Sequence, residues 1–264
     1  MGGILAAIKR GFGVATKSLG LVIVLFIFNL IFNLASIPLA VKPGMQPTAR
    51  LTAGAVIFSI VFILISIFMQ GGSLGLVRDY IKEGKMKLGG FASYGLKYYL
   101  RLFGLGLLII LIVGIVALMA ALLIAGTAPL NNNVVTTIAV IIAIAIGVVV
   151  GLLYFIPLTL SPYVLICDEV GVIEAMKRSL RLVKNPFSRA FAVLLLFILL
   201  ILISLGIGFV VGFLAGLVTA IVPPGLGQVL MGIATSAING YLGVVMMASF
   251  MVFYLGLTGK EKTI

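Results

Sequence analysis

The residue types that carry most enzyme chemistry are scarce in this sequence. The chain has no histidine and a single cysteine, Cys167, so it has no imidazole to bind a metal ion or to serve as the base of a nucleophilic serine. The segment 71–75 (Gly-Gly-Ser-Leu-Gly) matches the pattern of a nucleophile elbow, but that motif requires a strand-to-helix turn and a histidine. We therefore expect a glycine-rich helix end there, with a pair between Ser73 and Lys82 or Lys85 as the catalytic alternative.

The acidic residues are the next candidates for chemistry, because paired carboxylates can bind a cation or move a proton. Five of the six lie in the basic segments between apolar runs: Asp79, Glu83, Asp168, Glu169 and Glu174. An enzyme acting on lipid headgroups would need at least two of them to converge on a cation, and their spacing matches no metal-binding motif. We predict no catalytic residue, no metal site and no cofactor, with a headgroup-acting membrane enzyme as the alternative.

Three asparagines stand in otherwise apolar sequence: Asn29, Asn33 and Asn239. Asn29 and Asn33 are four residues apart, so a helix places them on one face. An amide in hydrocarbon needs a partner, and a hydrogen bond to another helix supplies one. The alternative is that the three asparagines together line a weakly polar pocket.

The apolar composition of the chain predicts which secondary-structure elements carry these residues. Hydrophobic residues make up 63% of the 264 residues, charged residues 9%, and the mean hydropathy is +1.37. Several apolar runs exceed the roughly 18 residues that mark a candidate spanning helix. Backbone groups in lipid must bond within their own segment, so we expect these runs to be helices. We predict an all-α integral membrane protein with six transmembrane helices, at about 19–41, 53–72, 102–126, 134–160, 190–222 and 229–257.

The charged residues orient these spans. Of the 18 basic residues, all but Lys42 and Arg50 fall on the side of the two termini, and so do all six acids. By the positive-inside rule both termini are cytoplasmic. The net charge of +12 then suits the anionic inner leaflet of the membrane, so we expect lipid headgroups as partners and no nucleic acid.

The sequence predicts three consecutive hairpins, at about 1–72, 73–160 and 161–264. A short stretch with basic residues precedes the first span of each, which predicts basic amphipathic interfacial helices on the cytoplasmic side. The residues expected to contact headgroups or a partner protein are Lys177, Arg178, Arg181, Lys184, Arg78, Lys82, Lys97 and Arg101.

Small residues recur at every fourth position in two spans, a spacing that lets helices approach closely in lipid. The fifth span has Gly208, Gly212 and Gly216, and the fourth has Ala143, Gly147 and Gly151. These stripes predict tight packing within the chain, or a dimer face. The first span has few small residues, so we expect it to face lipid or a partner.

One segment resembles a known family. It runs from Ser161-Pro162 through Asp168-Glu169, Gly171, Glu174-Ala175 and Ser179 to Lys184-Asn185-Pro186-Phe187. It is similar to the membrane domain that accompanies some glycerophosphodiester phosphodiesterases, and to related prokaryotic six-span membrane proteins. The resemblance implies a membrane architecture in a bacterial or archaeal cytoplasmic membrane. It does not imply phosphodiesterase activity, since the chain lacks that enzyme's soluble domain and its metal-binding carboxylates.

These observations favour a non-catalytic accessory, scaffold or interaction component, associated with another membrane protein or with a second copy of the chain. The alternative is a carrier or permease for lipid or a small uncharged solute. A membrane-crossing cavity lined by Asn29, Asn33 and Asn239 would favour the carrier.

Overall fold

A computed structural model describes residues 2–39, 49–127, 129, 133–151, 158–184, 187–219 and 221–259. Within these residues the chain forms nine α-helices and no β-strand. The helices are α1 (Gly2–Lys17), α2 (Leu19–Ser36), α3 (Ala49–Glu83), α4 (Phe91–Ala125), α5 (Asn133–Val150), α6 (Ser161–Cys167), α7 (Val172–Lys184), α8 (Phe187–Thr219) and α9 (Pro224–Leu257). Short 3-10 turns follow α2 at Ile37–Leu39 and precede α4 at Leu88–Gly90.

Five segments of the described chain are helical, long and apolar enough to cross a membrane. They are Leu19–Leu39, Thr52–Glu83, Leu88–Ala125, Ser188–Val218 and Gly225–Leu257, and a shorter apolar helix covers Asn133–Gly147. The all-helical fold expected from the composition is therefore confirmed, and the length and apolar composition of these helices fit a membrane protein. The predicted span at 134–160 is described only as α5 and the few residues before α6, since residues 152–157 lie outside the described chain.

The chain divides into two compact units, one formed by Met1–Tyr99 with Leu195–Ile264 and the other by Leu100–Leu194. In the first unit α9 is the central helix, and α1, α2 and α3 pack against it. Its carboxyl-terminal half is buried, as Val245, Ala248 and Met251 show. This half supplies the apolar surface around which the other helices assemble.

The first span does more than face lipid or a partner. One face of α2 packs against α9 so closely that a Cβ at Gly240 would lie 2.9 Å from the backbone nitrogen of Phe26. A second contact joins α2 to α3, where the rings of Phe28 and Phe62 stack with centroids 5.7 Å apart. The opposite face, with Ile23, Ile27 and Ile31, is exposed. α2, which has few small residues, thus packs closely here because its neighbour supplies the glycine.

The basic stretch that precedes the third span, with Lys97 and Arg101, does not form a separate helix. α4 runs without a break from Phe91 to Ala125, because the Gly89-Gly90 pair precedes it and only single glycines, with no proline, occur within it. It joins α3 through glycines: a Cβ at Gly72 would lie 2.8 Å from the carbonyl oxygen of Phe91, and one at Gly75 would lie 2.5 Å from Cγ of Tyr94. The nucleophile-elbow pattern therefore lies inside a helix, where two of its glycines admit aromatic neighbours.

The second unit contains a corner formed by α6 and α7, which pack against each other. Ala175, Ser179 and Val183 are buried and recur every fourth residue along α7, so a single face of this helix is covered. Proline at the start of α6 suits a helix amino terminus, where its missing N–H is not needed.

Candidate functional site: a cleft between α8 and α9

A cleft of about 400 Å³ lies between α8 and α9 in the first unit. Its lining residues come from these two helices alone: Ser204, Gly208, Val211, Gly212, Met231, Ala234, Thr235, Ile238, Asn239, Leu242, Gly243 and Met246. The lining is mainly apolar with a few polar groups, which is the usual composition of a binding site for an apolar partner or ligand.

Glycines give the cleft its width on the α8 side. Among the described residues, no heavy atom lies within 4 Å of a Cβ built at Gly208 or Gly212, so the α8 backbone at these positions has room for an approaching group. Whether these two positions pack against a second copy of the chain stays a prediction. One close helix approach in this unit is made by Gly240 of α9 against α2, and another by Gly11 of α1 against α9.

The other small residues of the predicted stripes are placed as follows. A Cβ at Gly216 would also meet no heavy atom within 4 Å. In the second unit, Ala143 is buried, and neither Gly147 nor Gly151 has a close neighbour within 4 Å of a built Cβ in its own unit. Whether the α5 stripe packs against another helix stays a prediction.

Asn239 is the polar residue that distinguishes the cleft. It lies near the middle of α9, is exposed, and lines the cleft. In the described part of the chain no hydrogen bond joins its amide to another group. The two other polar lining groups are satisfied on their own helices, since Ser204 donates to the carbonyl of Leu200 (2.8 Å) and Thr235 donates to that of Met231 (2.5 Å).

The position of this amide determines how much free energy is lost when it has no hydrogen bond. The centre of a helix that spans a membrane lies in the hydrocarbon, where water is scarce. An amide without a partner in an apolar medium loses at least about 1 kcal/mol relative to a bonded one. A group that enters the cleft and bonds to Asn239 would recover that free energy.

The three asparagines have different surroundings. Asn29 donates from Nδ2 to the carbonyl of Leu25 within α2 (2.8 Å). Asn33 donates from Nδ2 to Oγ of Ser236 in α9 (2.7 Å). Only Asn239 of the three lines the cleft. The first two amides therefore act within and between helices, and a pocket shared by all three is not present at this cleft.

The basic residues expected at the cytoplasmic surface fall into two groups. In the first unit, Nη1 of Arg78 donates to the hydroxyl of Tyr98 (2.8 Å), and Nη2 donates to Oδ1 of Asp79 (3.0 Å). The hydroxyl of Tyr94 donates to the other oxygen of Asp79, and Nζ of Lys97 lies 5.2 Å from the centre of the Tyr98 ring. Arg78 and Lys97 are thus engaged inside the α3–α4 hairpin.

The third basic residue expected to contact headgroups in this hairpin is not engaged in the same way. Lys82, near the end of α3, is exposed. It has no ion pair within the described residues. Ser73, which the catalytic alternative paired with Lys82 or Lys85, is fully buried, and its hydroxyl has no partner in the described chain.

In the second unit, Arg178 is held by two carboxylates. Its Nε donates to Oε1 of Glu174 (2.8 Å) and its Nη1 to Oδ2 of Asp168 (3.2 Å). The Arg178 guanidinium lowers the pKa of Glu174 below its ordinary value, chiefly through this hydrogen bond, and the same bond raises the pKa of Arg178. Two of the acids considered for cation binding therefore converge on an arginine.

The loop between α6 and α7 is held by a second arginine. Nη1 of Arg101 donates to the carbonyl oxygen of Glu169 (3.2 Å). Glu169 has a φ of 54°, in the left-handed region that side chains other than glycine rarely adopt. Among the described residues no group of three or more His, Cys, Asp or Glu side chains is arranged to hold a metal ion.

Sequence reasoning missed most of the cleft lining on α9. Two stripes run along this helix one residue apart. Gly232, Ser236 and Gly240 face α2, whereas Met231, Thr235, Asn239 and Gly243 face the cleft. The spacing of four in the second stripe was visible in the sequence, but the mixture of residue types hid it.

The comparisons with known proteins give one result for the whole chain. No curated protein and no solved structure matches it. A family model described as a domain of unknown function (DUF7847) matches residues 3–257, which include both units and the cleft. The chain belongs to the DUF7847 family.

Proposed function

We propose that this chain is a non-catalytic interaction component of a membrane, and that it receives a transmembrane helix of another membrane protein in the cleft between α8 and α9. The observation that carries the proposal is the Asn239 amide, which lies unbonded near the middle of a membrane-length helix and lines the cleft.

The shape and chemistry of the cleft suit a helix. Its lining on α9 extends from Met231 to Met246, about 22 Å at 1.5 Å per residue. The open backbone at Gly208 and Gly212 permits the close contact on which helix association in lipid depends. Asn239 can both donate and accept a hydrogen bond across the interface, an interaction of about 1 kcal/mol in membranes.

The competing function is a carrier for lipid or a small uncharged solute. A carrier needs polar groups that converge on its substrate near the midplane. Asn239 lines the cleft alone among the three asparagines, because Asn29 and Asn33 bond within and between helices. The distribution of amides therefore favours the interaction component.

The topology is part of the proposal. We infer six spans in three hairpins with both termini on the cytoplasmic side of a prokaryotic membrane. The separate short helices α1 and α7, which each precede a membrane-length helix and contain several basic residues, support the interfacial part of this arrangement. The likeness to the membrane domain of glycerophosphodiester phosphodiesterases stays a prediction.

Site-specific photo-crosslinking in native membranes tests the cleft. A photoreactive amino acid replaces Met231, which lines the cleft, and in a matched variant replaces Ile233, two residues away on the same helix and of similar exposure but outside the cleft. We expect a protein crosslink at position 231 that is absent or much weaker at 233. Asn239→Leu should reduce that crosslink without lowering expression.

Two results would count against this function. Equal protein crosslinks at both positions would show that α9 meets neighbours without regard to the cleft. Crosslinks at position 231 to lipid or a small molecule alone would move the carrier ahead of the interaction component.

A further inference from the structure

α7 presents two basic side chains that the fold does not use. Lys177 and Arg181 are exposed, and neither forms an ion pair with another residue in the described parts of the chain. They lie four residues apart, so they share one face of the helix. Among the eight basic residues expected to contact headgroups, these two form a neighbouring free pair on one element.

The nearby acids do not bond directly to this pair in the described chain. Asp168 and Glu174 both bond to Arg178. The side chain of Asp168 is only 8% exposed, so little of it is available to a third group. Both carboxylates thus bond directly to Arg178, and Glu174 acts on Lys177 and Arg181 only through its charge at a distance. The hydrogen-bond donors of Lys177 and Arg181 therefore stay open to a ligand.

The fold also fixes which way this face points. Ala175, Ser179 and Val183 are buried, so the covered side of α7 is turned toward its own unit. Ile173, one turn before Lys177, is 64% exposed. The outer face therefore combines an apolar residue with two cations, a combination that suits the boundary between headgroups and acyl chains.

Chain connectivity holds α7 close to the bilayer. Four residues separate it from α6, and two separate it from α8. Links of this length separate the helix ends by at most about 18 Å and 11 Å. Because α8 is a membrane-length helix, α7 cannot lie far from the membrane surface.

We infer that Lys177 and Arg181 bind the phosphates of anionic lipids while Ile173 inserts beside them, so that α7 docks on an anionic membrane surface. Arg178 is a positioning residue that sets the orientation of the helix through Asp168 and Glu174. This inference goes beyond the proposed function, and it stands or falls independently of what occupies the cleft.

The chain contains no tryptophan, so Ile173→Trp provides a single fluorescent reporter on the docking face. The full chain with this substitution is reconstituted into nanodiscs of phosphatidylcholine alone and into nanodiscs with increasing fractions of phosphatidylglycerol. We expect the emission to shift to shorter wavelength, and quenching by brominated acyl chains to rise, as phosphatidylglycerol increases. High salt should reverse part of the change, because it screens exposed charges.

Charge-removal variants identify the residues responsible. Lys177→Gln with Arg181→Gln should weaken the phosphatidylglycerol response, by about five-fold in the equilibrium constant for each residue removed. The matched control is Lys85→Gln with Lys87→Gln, which removes the same charge from exposed residues of the α3–α4 connection and should leave the response unchanged. Arg178→Ala should broaden and weaken the response, and Arg178→Lys should restore it only partly, since lysine lacks the fork that bonds two carboxylates.

Several results would overturn the inference. One is an emission that does not depend on phosphatidylglycerol. Another is an equal loss of response in the control variant, which would mean that net charge alone acts. A third is a response to an acidic peptide in neutral nanodiscs that exceeds the response to phosphatidylglycerol, which would assign this face to a protein.

Discussion

At the scale of single residues, two asparagines of the first unit show how position decides what an amide does. Asn33 bonds to Ser236 on the adjacent helix, whereas Asn29 bonds to the carbonyl of its own helix. A double-mutant cycle between Asn33→Ala and Ser236→Ala should give a coupling free energy of roughly 0.5–1 kcal/mol. The same cycle with Asn29→Ala should give a value near zero, and equal couplings in the two cycles would contradict the assignment.

Gly240 is the residue on which the contact between α2 and α9 depends. A Cβ there would lie 2.9 Å from the backbone nitrogen of Phe26, and backbone cannot move aside as a flexible side chain can. Gly240→Ala should therefore lower the free energy of unfolding in bicelles by about 1–3 kcal/mol.

The control for this substitution lies on the same helix. A Cβ at Gly232 would lie 3.6 Å from Cδ2 of Leu34 and 4.0 Å from Cβ of Asn33, which are ordinary contacts. Gly232→Ala should be neutral or slightly stabilising. Comparable destabilisation by both substitutions would show that helix flexibility, and not the close approach at Gly240, sets the effect.

At the scale of elements, the corner between α6 and α7 depends on the ionised pair of Glu174 and Arg178. Because the guanidinium holds the pKa of Glu174 below its ordinary value of 4.5, the carboxylate stabilises α7 at pH values above 4.5. That contribution is lost as the pH falls through the lowered pKa. Hydrogen exchange of α7 should thus be slower in the wild type than in Glu174→Gln at neutral pH, and the difference should vanish in acid.

Asp168, which accepts a hydrogen bond from Arg178 in the wild type, is left unchanged by this substitution. A difference between the two proteins that stays constant from neutral pH into acid would contradict the role given to the Glu174 carboxylate.

Elements with strong local signals could be read from the sequence. The helical period from Val172 to Val183 and the Asn185-Pro186 pair predict a helix that the structure places at Val172–Lys184. The basic stretch before the third span has no Asn-Pro pair after Gly90. Its last basic residues, Lys97 and Arg101, therefore lie in the first turns of α4.

The cleft could not be predicted from the sequence. A stripe of small residues such as Gly208 and Gly212 is the same whether a helix of its own chain covers it or leaves it open. On α9 the stripe that meets α2 and the stripe that faces the cleft differ by one residue, or 100° around the helix. Only the packing of the neighbouring helices decides which of them is covered.

At the scale of the whole molecule, the proposed topology makes a direct prediction. With both termini cytoplasmic, a green fluorescent protein fused after residue 264 should fluoresce. Alkaline phosphatase inserted at residues 127–133, a connection without charged residues, should be active because it would lie outside the cytoplasm. A non-fluorescent terminal fusion together with an inactive insertion would contradict the proposed orientation.

The central claim is that a membrane partner occupies the cleft beside Asn239. The most direct measurement is the intact mass of the protein after gentle extraction from its native membrane, for the wild type and for Asn239→Leu. The account predicts a stoichiometric second protein bound to the wild type and its partial or complete loss in the variant. A lone chain in both samples, or one that retains only lipid or a small molecule, would contradict it.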